Sequence, residues 1–332
     1  MKNTTTFPGL LEGFFTDRLM RQQQASPTTI ASYRDTFRLL FQFIQKQLKK
    51  SPSSLVIEDI NSKLVVDFLC WLEDERQNSA RSRNTRLAAI HSFFTYAALH
   101  DPVHSGMIQQ VLAIPCKRYE KRSVEYLTRT ETEVLLSIPD LTTRSGRRDQ
   151  ALLSLTAQTG LRVSELIGLN CEDVVLNTGA HVHCTGKGRK ERCTPIQPKI
   201  ASMLSSWLNE RNGQQSDPLF PNARGGRLSR DGVEYILRKH TQSAAQNCAS
   251  LKKKRISPHV LRHTAAMELL QHGVDRSVIA LWLGHETLDT VNIYVHANMQ
   301  MKEDALGKTT PHNVKNGRYH PEDELLTFLN SL

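Results

Sequence analysis

The feature that most constrains the fold is a long apolar stripe near the N-terminus that repeats at helical spacing. It follows Ser26, which can cap a helix, and Pro27, which suits a first helical turn. Its members lie three or four positions apart or directly adjacent: Ile30, Tyr33, Phe37, Leu40, Phe41, Ile44 and Leu48. Such a stripe buries one face of a helix, so the segment needs other helices to pack against.

Three other segments of the first hundred residues carry helical signals of the same kind. One helix is expected around residues 8–23, another after Ser62, and a further one from about Ser79. The last has apolar residues predicted to face inward, namely Leu87, Ile90, Phe94 and Ala97. Because no single helix can bury its own apolar face, these segments predict a four-helix N-terminal domain over residues 1–105.

The fourth helix opens with a basic end that contains Arg81, Arg83 and Arg86. Guanidinium groups in this position suit contacts with phosphate oxygens or entry into a DNA major groove. A basic helix end is equally well explained as a solvated face. Both interpretations stay open, and the three arginines are candidate DNA-binding residues.

A change of composition separates this helical region from the rest of the chain. Two prolines and a glycine break the pattern after residue 101, and a basic run that includes Lys117 and Arg118 follows. An exposed linker is therefore predicted over residues 106–125, with Lys117 and Arg118 as two more candidate DNA contacts.

The second half of the chain mixes helical patterns with a few short strands. The segment HVHCTGKGRKERCTP, residues 181–195, predicts a β-hairpin with its turn at Gly188 and Arg189. Residues 126–310 are expected to form an α+β domain with a small antiparallel sheet, and residues 311–332 a C-terminal tail. The chain as a whole is predicted to be mostly α.

Net charge points to a polyanionic partner. The chain has 43 Lys and Arg residues against 33 Asp and Glu residues, a formal charge of +10. Such an excess favours nucleic acid through phosphate neutralisation and counterion release, although it also serves solubility alone. The sequence shows no apolar run of membrane-spanning length and no signal-peptide pattern, so a cytoplasmic, nucleoid-associated protein without a membrane partner is expected.

The six cysteines contain no CxxC pair, which favours free thiols over a disulfide framework. Cys184 and Cys193 flank the predicted turn and leave a redox bridge as the minor alternative. His181 and His183 share one face of the strand while Cys184 takes the other, so this cluster does not predict a metal site.

Four segments of the second half concentrate the residue types that phosphoryl transfer needs. They are TGLRVSELIGL, TGKGRKER, SPHVLRHT and LGHETLDTVNIY. Arg162 and Arg262 each present a planar fork that binds phosphate through two hydrogen bonds. His259 lies three residues before Arg262 on a helix that Ser257 and Pro258 would begin, so both project from one face near its positive end into a cleft.

In their order and internal spacing these motifs resemble those of the tyrosine recombinase, or phage-integrase, family, including its Xer-like members. The resemblance covers nearly the whole chain. It implies an N-terminal SAM-like core-binding domain followed by a tyrosine recombinase catalytic domain. It assigns the active site to Arg162, Lys187, His259, Arg262, His285 and Tyr294, with Glu165 as a supporting acid.

The resemblance also implies a mechanism in which Tyr294 attacks a scissile phosphate, giving a 3′-phosphotyrosyl enzyme and a free 5′ hydroxyl. Lys187 would protonate the departing oxygen, and His259 would accept the tyrosyl proton. His285 would donate a hydrogen bond to the phosphate in the transition state. Glu165 would orient Arg162 or the ring of His259.

Because the phosphotyrosyl link conserves the bond energy of the phosphodiester, no cofactor and no metal are expected. The expected partner is double-stranded DNA. The resemblance further implies a homotetramer on two recombination sites, acting in the integration, excision or transposition of a mobile element.

Two other functions remain open on the residues alone. A type IB topoisomerase-like enzyme would use the same covalent chemistry but rejoin the original strand. A noncatalytic helical DNA-binding regulator would need DNA affinity but no tyrosine nine residues after His285.

Overall fold

The structure is a computed structural model, and it describes residues 6–120, 124–186 and 191–284. The chain divides into two compact units, Met1–Lys121 and Arg122–Leu332. Within the described ranges, no helix combines the length and apolarity that crossing a bilayer requires.

The described part of the N-terminal unit is helical. Its longer helices are α1 (Phe7–Gly13, continuing as a π-helix over Phe14–Gln22), α2 (Pro27–Leu48), α3 (Ser62–Asp74), α4 (Ala80–His100) and α5 (Ser105–Leu112). The Ser26 side chain accepts a hydrogen bond from the backbone N–H of Thr29, and Pro27 occupies the first turn of α2, as predicted.

Aromatic side chains fill the core of this unit. Phe14 and Phe93 are fully buried, with ring centroids 5.6 Å apart at a steep angle, and Phe37 lies 5.4 Å from Phe93. In the predicted apolar stripe of α2, Phe37, Leu40 and Ile44 are buried and the other members are half-buried, except that Leu48 is 41% exposed. That expectation is wrong because Leu48 falls in the last turn of α2, beyond the residues that neighbouring helices cover.

The predicted linker begins too early. Residues Ser105–Leu112 form α5, which packs on α4 with Ile108 and Val111 fully buried. The side chain of Asn84 in α4 also holds the following segment, because its amide donates to the carbonyl of Lys117 and accepts from the same residue's N–H. Pro102 therefore marks a turn between two packed helices, Gly106 lies within α5, and the described part of this unit has one longer helix more than predicted.

The described part of the C-terminal unit combines helices with one small sheet. The helices are α6 (Arg129–Ser137), α7 (Arg144–Thr159), α8 (Val163–Gly168), α9 (Pro198–Arg211), α10 (Arg230–Asn247), α11 (Pro258–Gln271) and α12 (Arg276–Leu283). The strands are β1 (Val174–Val175), β2 (His181–Thr185) and β3 (Glu191–Pro195), in the antiparallel order β1-β2-β3. A mostly helical chain of two units with a small antiparallel sheet confirms the predicted fold class.

The register of the hairpin shows whether Cys184 and Cys193 face each other and could form a disulfide bond. Thr185 pairs with Glu191, which confirms the pairing of the predicted hairpin, whereas the predicted turn at Gly188 and Arg189 lies outside the described residues. Cys193 lies opposite His183, and Cys184 lies opposite Arg192, so the two cysteines are one position out of register. Cys184 is buried and Cys193 is exposed, and all six cysteines are free. The alternative of a redox bridge is wrong, because adjacent register positions face opposite sides of the sheet.

Helix α7 is the central element of the C-terminal unit. Its residues 151–156 are all buried, and α6, α9 and α11 pack around it. Helix α11 contributes Leu261 and Ala265 to its buried face and also contacts α12. The indole N–H of Trp282 in α12 donates to the carbonyl of Thr159 at the end of α7. This contact joins the ends of two helices beside the candidate site.

The aromatic core of the N-terminal unit supports a first prediction. Phe93→Ala removes a fully buried ring that contacts several others, so the free energy of unfolding should fall by about 3–5 kcal/mol. Leu99→Ala on the same helix is the control, since Leu99 is 73% exposed and its loss should change stability by less than about 0.5 kcal/mol. Urea unfolding followed by circular dichroism measures both, and equal losses would contradict this description of the core.

Candidate active site

Four of the seven predicted active-site residues fall in the described ranges. Arg162, Glu165, His259 and Arg262 can be placed, whereas Lys187, His285 and Tyr294 lie outside the described residues.

Arg162 and Glu165 begin helix α8 together. Arg162 is the N-terminal cap residue, and Glu165 follows it in the first turn. Glu165 Oε2 accepts the backbone N–H of Arg162 at 2.8 Å, and Oε1 accepts from Arg162 Nη1 at 2.8 Å. One carboxylate therefore caps the helix and orients the guanidinium of the capping residue, in line with the expectation that Glu165 orients an arginine.

Arg192, which sequence reasoning did not select, completes this ion pair. Its Nη1 and Nη2 donate to the two carboxylate oxygens of Glu165 at 2.9 and 2.8 Å. Arg192 is the second residue of β3 and lies opposite the buried Cys184. Strand alternation from Cys184 was the available signal, since it places residue 192 on the inward face of the hairpin.

Glu165 is held ionised although it is buried. Its side chain is only 2% exposed, and burial alone would raise its pKa. The hydrogen bonds and charge of Arg192, together with the backbone and side-chain hydrogen bonds from Arg162, outweigh that effect and hold the pKa of the carboxyl below its usual range. Ionisation of Glu165 thus depends on two arginines that come from different elements.

Arg262 is anchored differently, by backbone carbonyls. Its Nη1 donates to the carbonyl of Gly160 at 2.7 Å, and its Nη2 donates to that of Leu283 at 2.6 Å. Carbonyl groups fix the guanidinium without neutralising its charge. The expectation that Arg262 points into an open cleft is wrong for the described residues, because it lies on the face of α11 that packs on α7 and is only 4% exposed.

The two predicted arginines meet at one turn. Arg162 Nη2 donates to the carbonyl of Gly284 at 2.9 Å, next to the Leu283 carbonyl that Arg262 contacts. Gly284 ends α12 at φ +63°, a left-handed conformation that favours glycine. His285 is the next residue in the sequence.

His259 is exposed in the first turn of α11. Partial burial of its ring and then the charges of Arg262, Arg230 and Arg162 lower its pKa, which favours the neutral imidazole at neutral pH. One turn further on, burial and the neighbouring charges lower the pKa of His263 to about 4. A neutral, accessible imidazole beside two fixed arginines is suited to accept a proton.

The candidate DNA-binding arginines of α4 differ in how far they are engaged within the protein. Arg81 is exposed. Arg86 Nη1 donates to the Ser32 carbonyl and to Thr36 Oγ1, both at 3.1 Å, so it ties α4 to α2. Arg83 Nη1 donates to the carbonyl of Pro115 at 3.2 Å.

The two basic candidates after α5 are both exposed. Lys117 Nζ lies 3.0 Å from a carboxylate oxygen of Glu73, with more than half of the lysine side chain accessible. Arg118 directly follows it and is exposed. Within the described ranges, the accessible side chains of Arg81 and Arg118 make no hydrogen bond or ion pair.

The site combines anchored positive charge with a neutral histidine. Arg162 and Arg192 both bind the single carboxylate of Glu165, so positive charge is in excess among these three described side chains, and backbone carbonyls hold Arg262 at the adjoining turn. Fixed guanidinium groups of this kind stabilise the charge of a phosphodiester undergoing displacement. Together with a helical unit that carries accessible basic residues, the site defines a class of enzyme that acts on phosphodiester bonds of nucleic acid.

The chain belongs to the phage integrase family of tyrosine recombinases, the enzymes that cleave and rejoin DNA strands in site-specific recombination. Residues 125–301 match the phage integrase family, and residues 13–100 match the phage integrase N-terminal SAM-like domain. Both domains that the motifs implied are therefore present in the expected order.

Relatives of known sequence extend over nearly the whole chain. A putative integrase/recombinase of Sinorhizobium fredii, y4rC, is 55% identical over 97% of this chain and 97% of its own length. The tyrosine recombinase XerC of Chlamydia caviae is 31% identical over 90% of this chain and 98% of its own length.

Solved structures share the fold. A XerH site-specific recombinase bound to its palindromic difH substrate gives a TM-score of 0.69 at 22% identity, over 86% of this chain and 81% of that one. The Tn1549 transposon integrase in complex with transposon right end DNA gives 0.67 at 14% identity, over 89% of this chain and 98% of that one.

Gly160 supports a prediction on how the site is assembled. It ends α7 at φ +63°, and a Cβ there would lie 2.7 Å from a methyl carbon of Leu283. Gly160→Ala should therefore lower the free energy of unfolding by about 2 kcal/mol or more through backbone strain and overpacking. Thermal or urea unfolding of the full chain measures the loss.

Gly168→Ala is the matched control for this change. Gly168 lies in α8 with open space around its Cα and no left-handed backbone, so alanine should change stability by less than about 1 kcal/mol. A Gly160→Ala chain as stable as this control would contradict the close approach of α7 to Leu283.

Proposed function

We propose that this chain carries out site-specific DNA recombination with Tyr294 as the nucleophile that forms the 3′-phosphotyrosyl intermediate. The observation that carries the proposal is the junction of Arg162 and Arg262 at the turn of Leu283 and Gly284. It fixes two cations at the first two residues of the LGHETLDTVNIY motif, which ends with the tyrosine.

The arginines act on the scissile phosphate through charge that is already in place. Each guanidinium presents a planar fork of N–H donors and a permanent positive charge, which suit it to bind the oxygens of a phosphate. Because the carbonyls orient Arg262 before DNA binds, little reorganisation is needed as charge develops on the phosphate. Arg162, with 27% of its side chain accessible, contributes the second fork.

Proton transfers complete the cleavage step. His259, neutral near pH 7, accepts the tyrosyl proton as the Tyr294 oxygen bonds to phosphorus. Lys187 gives a proton to the departing 5′ oxygen, and His285 donates a hydrogen bond to the phosphate. In the second step a 5′ hydroxyl of the partner strand attacks the phosphotyrosyl bond and releases Tyr294, which balances the reaction without a cofactor or metal.

DNA binding is divided between the two units in this proposal. Residues 1–121 form the core-binding domain, residues 122–310 the catalytic domain, and residues 311–332 a tail. The exposed Arg81 and Arg118 meet phosphates, Lys117 adds to this basic surface, and Arg83 and Arg86 chiefly hold α4 in place.

The wider setting is part of the same proposal. A homotetramer on two DNA sites carries out the exchange, and the chain resides with the nucleoid in the cytoplasm. The Tn1549 integrase neighbour, solved with transposon end DNA, supports a role in moving a mobile element.

A relaxing, type IB topoisomerase-like activity is the second candidate, since it would use the same covalent chemistry. Incubation with two labelled duplexes that carry the cleavage site separates the two functions, because only a recombinase yields hybrid products. A noncatalytic regulator would form no covalent adduct at all.

The nucleophile is tested by Tyr294→Phe. The cleavage site is first mapped on the genomic DNA that flanks the gene, and a duplex nicked next to it then serves as a suicide substrate. We expect the wild-type chain to form a covalent adduct and Tyr294→Phe to bind this duplex with unchanged affinity but form none, since only the phenolic oxygen is lost. An adduct in the variant would assign the nucleophile elsewhere.

The arginine clamp is tested by Arg262→Gln, which keeps a donor for one carbonyl and removes the charge. The rate of adduct formation should fall by about 100-fold or more, while duplex affinity changes little, because the contact strengthens in the transition state. Arg148→Gln is the control: Arg148 is also a largely buried arginine of this unit, bound to Asp149 and the Pro221 carbonyl. It should lower stability without slowing cleavage, and equal effects on binding and cleavage in Arg262→Gln would argue against the clamp.

A further inference from the structure

We propose that Arg192 is a positioning residue of the cleavage reaction: it compensates the charge of Glu165, so that this carboxylate orients Arg162 without neutralising the charge that Arg162 presents to the scissile phosphate. The inference rests on the proposed function, because it assigns Arg162 to the phosphate. Arg192 acts through Glu165 and does not itself contact DNA.

The contact between Arg192 and Glu165 has the geometry of a strong ion pair. Two nearly parallel hydrogen bonds of 2.9 and 2.8 Å join the guanidinium fork to the carboxylate. The side chains are 13% and 2% exposed, so water screens the pair little. The Nε of Arg192 is buried and has no hydrogen-bond partner within the described ranges, which leaves Glu165 as the group that orients it.

The ion pair between Arg192 and Glu165 determines how much of the positive charge of Arg162 is neutralised. Glu165 also accepts from Arg162 Nη1 and from its backbone N–H. With Arg192 present, one carboxylate faces two guanidinium groups, and a full positive charge is left over. Without Arg192, the carboxylate would either neutralise Arg162 alone or take up a proton in its buried position and release the guanidinium.

The position of Arg192 links three segments of the site. It lies five residues after Lys187 on the same hairpin. A Cβ on Gly284 would lie 2.7 Å from Arg192 Nη1, so the guanidinium packs against the turn whose carbonyl accepts from Arg162. Arg192 thus connects β3, the start of α8 and the turn that precedes His285.

The decisive measurement is the pH dependence of adduct formation by Arg192→Met. Methionine keeps the unbranched stem and removes the charge and both donors. In the wild-type chain Arg192 helps to keep the pKa of Glu165 below its usual range. In the variant the pKa of Glu165 is higher, so Glu165 takes up a proton at a higher pH than in the wild-type chain. The rate of adduct formation therefore also begins to fall at a higher pH.

The experiment uses the full chain and the nicked duplex that carries the mapped cleavage site, with enzyme in excess. We expect Arg192→Met to slow adduct formation at neutral pH by about 10-fold or more, to change duplex affinity by less than about 3-fold, and to move the acid limb of the rate profile upward. Arg192→Lys, which restores the charge but not the fork, should recover part of the rate and move the acid limb back toward the wild-type position.

Lys254→Met is the matched control. Lys254 Nζ binds the buried carboxylate of Glu131 at 2.6 Å in the same unit, and the pKa of Glu131 is likewise lowered against its burial. Loss of this cation should reduce stability but leave the rate of the folded fraction and its acid limb unchanged. Urea unfolding of each variant gives the folded fraction by which rates are corrected.

A double variant with Glu165→Gln separates positioning from direct contact. If Arg192 acts through Glu165, then Arg192→Met adds less than about a 2-fold loss in the Glu165→Gln background and causes no further pH shift. The proposal is overturned if the loss persists there, if Arg192→Met keeps the wild-type rate and profile, or if Lys254→Met moves the acid limb equally. A wild-type chain without an adduct, or an adduct in Tyr294→Phe, would instead refute the proposed function.

Discussion

The shared carboxylate of Glu165 is the interaction on which the described part of the site depends. A buried carboxylate is costly unless cations and hydrogen bonds compensate it, and removal of one partner leaves a charge that nothing balances. Its partners come from the cap of α8 and from β3, while Arg162 also reaches the carbonyl of Gly284. The three segments must therefore fold together before Arg162 acquires a fixed orientation, so stability and site geometry are coupled here.

The two predicted arginines show two ways of fixing a cation. Arg162 is held by a carboxylate, which orients it at the expense of part of its charge, and Arg192 compensates for that loss. Arg262 is held by the carbonyls of Gly160 and Leu283, which orient it without neutralisation but require those backbone segments to approach closely. Glycine at position 160 makes the approach feasible, since any Cβ would collide with Leu283.

Sequence reasoning succeeded where the signal was local and failed where the answer depended on distant packing. The capped start of α2 and the pairing of β2 with β3 are encoded by neighbouring residues, so both were predictable. Whether α5 would pack as a fifth helix depended on contacts with α4, and Pro102 with Gly106 suggested a linker instead. Arg192 escaped notice because a basic residue in a basic hairpin looks solvated until the register places it on the inward face.

The same limit applies to the basic end of α4, because arginines that look alike in the sequence have different contacts in the folded unit. Arg86 bridges to α2 and Arg83 binds the Pro115 carbonyl, so one terminal nitrogen of each is engaged within the unit. Asn84 then holds the backbone of Lys117, which brings the segment that continues into Arg118 against the start of α4. Arg83 and Asn84 thus bring two exposed basic segments together, and the resulting surface is more concentrated in charge than either segment alone.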